Sequence, residues 1–74
     1  MPAHILTVRQ QDRGHRVVVL SAVVSSPMIP RLLAATEVDP VGLYAVFVDD
    51  VLWATTSGAD LASAISALLV ERAA

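Results

Sequence analysis

A seven-residue segment recurs within this chain. Val19-Leu20-Ser21-Ala22-Val23-Val24-Ser25 lines up with Val51-Leu52-Trp53-Ala54-Thr55-Thr56-Ser57, 32 residues downstream, with Val, Leu, Ala and Ser at matching places. An apolar, alanine-rich stretch follows each copy. A chain of 74 residues has room for one domain at most. A repeat of this length therefore constrains the fold to two similar halves, spanning about 4–36 and 43–73, that share a core.

Each half reads as two strands followed by a helix. His4 to Arg9 is β-rich, and Gln10-Gln11-Asp12-Arg13-Gly14 reads as a hairpin loop. Arg16 to Val24 is dense in valine and forms the strongest strand pattern. Ser25-Ser26-Pro27 then offers helix caps, with Pro30 tolerated in a first turn. Met28, Ile29, Leu32 and Leu33 recur at helical spacing and predict a short helix to about Thr36. Glu37 to Gly42 breaks it. Leu43 to Val48 and Val51 to Thr56 read as a hairpin around Asp49-Asp50, whose second residue needs φ > 0. Ser57 and Asp60 resemble a capping box, and Leu61, Ala64, Ile65, Leu68 and Leu69 give an amphipathic helix to about Arg72. The expected fold is α+β in the order ββαββα. The two ββα units form a four-stranded, mainly antiparallel sheet with both helices on one face.

Side-chain alternation along a strand then sorts residues by face. Pairing through Asp49-Asp50 puts Leu43, Ala45, Phe47, Leu52 and Ala54 on one face. With the small alanines there, this face is expected to meet the helices, together with Ile5, Thr7, Val18, Leu20, Ala22 and Val24. The opposite face is expected to carry Leu6, Val8, Val17, Val19, Ser21, Val23, Tyr44, Val46, Val48, Val51, Trp53 and Thr55. A sheet face left in water is normally polar, and this one is not. Exposed apolar patches above a few hundred Å² mark interfaces. Leu6, Val8, Val17, Val19, Val23, Tyr44, Val46, Val48, Val51 and Trp53 are therefore the candidate interface of a symmetric homodimer.

Composition narrows the remaining choices. Hydrophobic residues make up 55% and charged residues 16%, and there is no cysteine. Disulfides, thiolate zinc sites and cysteine nucleophiles are excluded together. Two histidines, His4 and His15, are too few for a metal centre, and no cofactor is expected. The longest uncharged stretch, Val17 to Pro30, holds three serines and two prolines and is too short to span a bilayer. Met1-Pro2-Ala3-His4 lacks the basic region of a signal peptide, so the expectation is a cytoplasmic protein without membrane contact. A net charge of −2 argues against nucleic acid as a partner. All basic residues are arginine, a pattern of GC-rich genomes that fits a small bacterial or phage protein.

Motifs of phosphate binding, hydride transfer, serine hydrolysis and zinc proteolysis are absent. Ser25 and Ser57 read as helix caps rather than nucleophiles, and Asp49-Asp50 as a solvated turn rather than an acid–base pair. The expected function is non-enzymatic: a protein–protein interaction module, homodimeric through its open sheet face, acting as an inhibitor or adaptor of a larger protein partner. The alternative is a small-molecule module with a pocket at the dimer interface around Trp53 and Tyr44. A third is a nucleic-acid contact through Arg9, Arg13 and Arg16. The back of the second helix, Ala59, Ala62, Ser63, Ser66, Ala67 and Val70, offers either a bland surface or a second contact.

Overall fold

The computed structural model describes residues 4–11 and 17–73. They form β1 (Ile5–Gln10), β2 (Val17–Val23), α1 (Ile29–Ala35), β3 (Leu43–Val48), β4 (Val51–Ser57) and α2 (Leu61–Ala73). This is the ββαββα order expected from the repeat. Every neighbouring pair of strands is antiparallel, and the sheet order is β2-β1-β3-β4. Each ββα half thus supplies one inner and one outer strand, and the order is symmetric about the β1–β3 seam. Of the expected first-hairpin loop, Gln10 instead ends β1, and Asp12, Arg13 and Gly14 lie outside the described residues, as do His15 and Arg16.

The second hairpin turns on Asp49 and Asp50, with φ of 52° and 66°. Both central residues of this two-residue turn are left-handed, which matches the twist of the flanking strands. Aspartate tolerates this region because its short side chain can bond locally. Asp49 also ties the turn to the next strand: its Oδ1 accepts the Ile5 N–H at 2.9 Å, and its Oδ2 lies 2.6 Å from His4 Nδ1. The Asp49 N–H donates to the Ile5 carbonyl at 2.9 Å, extending the β1–β3 ladder.

Each outer strand carries a bulge. Val8 pairs with Leu20 and Arg9 with Val18, so Val19 is the extra residue in β2. Phe47 pairs with Leu52 and Val46 with Ala54, so Trp53 is the extra residue in β4. Val19 and Trp53 are half-buried and pack against the helix-side core. The first two pairs of the second hairpin, Val48–Val51 and Phe47–Leu52, follow the expected register; beyond them the bulge shifts it, and Ala45 meets Thr55 instead of Ala54.

One core lies between the sheet and the two helices. Leu6, Val8, Leu20, Tyr44, Val46 and Val48 pack against Ile29 of α1 and Leu61, Ile65 and Leu68 of α2. Seven residues are too few for a stable isolated helix, so α1 depends on this packing. Met28 stands at its N-cap and Pro30 in its first turn. The caps differ from those expected. Ser26, not Ser25, accepts the Met28 N–H at 3.2 Å. Ser57 does not bond a backbone N–H; its hydroxyl donates to Asp60 Oδ2 at 3.3 Å. A short 3₁₀ turn, Gly58–Asp60, then feeds α2.

The face assignment read from the sequence is inverted in β1, β3 and most of β4. Leu6, Val8, Tyr44, Val46 and Val48, expected on the open face, are the buried strand residues beneath the helices. Ile5, Thr7, Val18, Leu43, Ala45, Phe47 and Leu52, expected under the helices, lie on the open face. Leu20, Ala22, Val24 and Ala54 sit on the helix side as expected. The physical reason is Arg9, which shares the alternation set of Ile5 and Thr7. A guanidinium cannot be buried under two apolar helices without a partner. That set must therefore face water, and the antiparallel ladders carry the choice to Ala45, Phe47 and Leu52.

The connection between the halves is seated on Tyr44 and Gly58. The buried Tyr44 hydroxyl accepts the Asp39 N–H at 2.9 Å, and Asp39 Oδ1 accepts the Val41 N–H at 3.1 Å. The Gly58 N–H donates to the Gly42 carbonyl at 3.0 Å, and the Ala59 N–H to the Pro40 carbonyl at 3.2 Å. Tyr44→Phe should leave the Asp39 N–H without its partner and cost about 1 kcal/mol. For a domain of this size, that is a fall in Tm of about 4–8 °C. A thermal melt followed by circular dichroism checks it, and an unchanged Tm would count against the clamp.

Candidate functional site

The open sheet face is the candidate site. Its middle is organised around Phe47 on β3. Arg9, on the neighbouring strand β1, lays its guanidinium carbon 5.0 Å from the centre of the Phe47 ring. Arg9 Nη2 reaches Asp50 Oδ1 at 3.4 Å, at the β3–β4 turn. Thr7, Ala45 and Phe47 are buried on this face although no helix covers it. Arg9 accounts for part of that cover, since its methylene stem can shield apolar surface while the charged head stays wet. The Arg9 Nε is itself buried and has no hydrogen-bond partner.

Around this centre the face is apolar and exposed. Ile5 opposes Val23, Val18 flanks Arg9, Leu43 stands at the start of β3, and Leu52 opposes Phe47. Leu52 is 52% exposed and Val18 51%. Ser21, Thr55 and Ser57 interleave them as the polar part. The face therefore mixes aliphatic surface with the Arg9–Asp50 ion pair. It is less uniformly apolar than the one expected from the sequence.

Of the expected interface residues, Val23 alone falls on this open face. Leu6, Val8, Tyr44, Val46 and Val48 are core. Val19 and Trp53 are the bulge residues turned toward it. Val17 pairs with Gln10 and Val51 with Val48, so both follow the helix-side set, and they are exposed at sheet ends. A ligand pocket around Trp53 and Tyr44 has no place on the open face, because Tyr44 is only 2% exposed and its hydroxyl is engaged. Arg9 lies over Phe47, and Arg13 and Arg16 lie outside the described residues.

The sequence reading missed two features. One is the Arg9–Phe47–Asp50 arrangement, which depends on β1 pairing with β3 across residues far apart in the chain. The legible signal was the charge of Arg9 on an otherwise uncharged strand. The other is an apolar cleft of about 340 Å³ between α1 and α2, floored by Ile29 and Ile65 and walled by Pro30, Leu33, Val38 and Leu69. Ala62 and Ser66, read as the back of the second helix, line this cleft, while Ala59, Ser63, Ala67 and Val70 face water.

Among the described residues, no three His, Cys, Asp or Glu side chains cluster as metal ligands would. The His4–Asp49 contact is half-exposed and joins a strand to a turn. No helix among the described residues is long and apolar enough to cross a membrane. No protein-family model matches the chain, and no curated protein or solved structure matches it either.

Proposed function

We propose that this protein works without catalysis, as a protein–protein interaction module that self-associates through its open sheet face. The observation carrying this reading is the ring of exposed aliphatic residues on that face, Ile5, Val18, Val23, Leu43 and Leu52, around the Arg9–Phe47 centre. Water-facing apolar surface gathered on one face favours burial at about 25 cal/mol per Å². Two such faces packing at about 10 Å would make a β-sandwich with the helices outside.

The size of the face sets the expected strength. Four strands about 4.8 Å apart, each about 20 Å long, fall below the ~800 Å² per partner of a standard interface. The association is therefore expected in the micromolar range, on the order of 1–100 μM. Such a dimer would be populated by local concentration and could yield its face to a larger partner, as an inhibitor or adaptor would.

Sedimentation equilibrium across the micromolar range tests this. Wild type should show a monomer–dimer equilibrium. Leu52→Asp should be monomeric throughout, with a wild-type circular dichroism spectrum and a stability change within about 0.5 kcal/mol. A wild-type protein that stays monomeric at the highest concentration would sink the reading.

A further inference from the structure

The open face carries opposite charges beside each other. Arg9 is its cation among the described residues, and Asp50 is the acid that reaches it. Their contact is loose: one guanidinium nitrogen at 3.4 Å, with the Asp50 side chain 85% exposed and that of Arg9 33% exposed. The Arg9 Nε has no partner at all. A bidentate arginine–carboxylate pair is shorter and uses two nitrogens. Meanwhile the guanidinium is held over Phe47, which keeps it at the centre of the face.

A surface with a plus and a minus side by side is complementary to itself. A two-fold axis that lies in the interface and crosses midway between Arg9 and Asp50 reverses the order of the charges, so each cation meets the other copy's anion. An isologous interface is built in this way. An axis passing at Arg9 itself would bring two guanidinium groups together in a drying interface, where like charges cost several kcal/mol. A chemically different partner would have to supply the same alternation. A second copy supplies it by symmetry.

We propose that the partner on the open face is a second copy of this chain, docked about a two-fold axis beside Phe47. Arg9 then pairs with Asp50 of the partner subunit, in two equivalent bridges. This rests on the self-association reading above and assigns its specificity to two residues. The charges are exposed to solvent in the free chain and pair only on association, so association strengthens at low salt and weakens as screening increases.

The test is a mixing experiment with Arg9→Glu and Asp50→Lys, each first shown to be folded by circular dichroism. Alone, each variant places like charges at both bridges and should be monomeric. Mixed in equal amounts, they should form a one-to-one heterodimer, because Glu faces Lys at one bridge and the native pair is kept at the other. Native mass spectrometry separates the heterodimer from both homodimers by mass. An intramolecular pair would be broken in each variant whatever it is mixed with, and mixing would restore nothing.

A milder set covers the case where a charge reversal unfolds the chain. Arg9→Gln or Asp50→Asn should weaken dimerisation roughly tenfold, as two bridges each worth a few-fold multiply, and should flatten its salt dependence. Wild-type dimers with variants that dimerise equally well would overturn this assignment and leave the module reading standing. A monomeric wild type would overturn both.

Discussion

Replacing Gly58 with alanine should cost on the order of 3 kcal/mol and leave much of the protein unfolded at 37 °C. A Cβ at this position would stand 1.9 Å from the Asp39 carbonyl oxygen and 2.7 Å from the Asp39 carbonyl carbon and Val38 Cγ1. Two of these three atoms are backbone, so no side-chain rotation relieves the clash. The connection between the halves would have to lift. That would break the hydrogen bonds from Gly58 to Gly42 and from Ala59 to Pro40, and pull Asp39 from the Tyr44 hydroxyl. A core of this size supplies about 3–5 kcal/mol, so the loss approaches the whole. Gly42→Ala is the control, since its Cβ would meet neighbours at 3.3 Å and ask only for small shifts. Urea denaturation of the two variants beside wild type measures the difference. Equal midpoints for Gly58→Ala and wild type would show that the connection does not rest on Gly58.

The second large effect separates the two faces of the sheet. Val46→Asp should abolish folding. Val46 is wholly buried among Leu6, Val8, Tyr44 and the α2 residues, and no cation lies in that cluster. An unpaired carboxylate there costs several kcal/mol even if it protonates, as much as the core provides. The same change at Leu52, on the other face, should leave the fold intact, as set out above. Far-UV circular dichroism with one-dimensional NMR decides it. A dispersed, wild-type-like spectrum for Val46→Asp would mean that the helices pack on the opposite face.

That contrast shows what was legible in the chain. Elements were legible because their signals are local: valine-rich strands, helical spacing after Ser57, and an acidic two-residue turn whose φ values are both positive. The antiparallel sheet and the one-sided helices followed from the repeat. The choice of face did not follow from alternation, which sorts residues into two sets without saying which set the helices cover. Apolar size was a poor guide, because Phe47 and Leu52 belong to the outer set. The charge of Arg9 was the better guide, since one ionised group on an inner strand outweighs several methyl groups.

The repeat is also less literal in space than in sequence. Leu20 is buried in the core, whereas its counterpart Leu52 is exposed on the other face. Ala22 and Ala54 keep the helix side in both halves. The two bulges explain the difference: they fall at Val19 and at Trp53, not at matching points of the repeat. A single inserted residue reverses every side chain beyond it. Ser21 and Trp53, equivalent in the repeat, therefore end up apart, one on the open face and one turned toward the core.

The same bulges bear on edge-to-edge pairing between sheets. Both outer strands, Val17–Val23 and Val51–Ser57, lack any charge or proline. Their free borders thus have none of the chemical guards that usually stop one sheet from annealing to the next. Here geometry takes that role. A bulge interrupts each border and bends it, so two copies cannot zip together in continuous register along it. Val19 and Trp53 would then protect against fibrous stacking, a task separate from anything the sheet's surface binds.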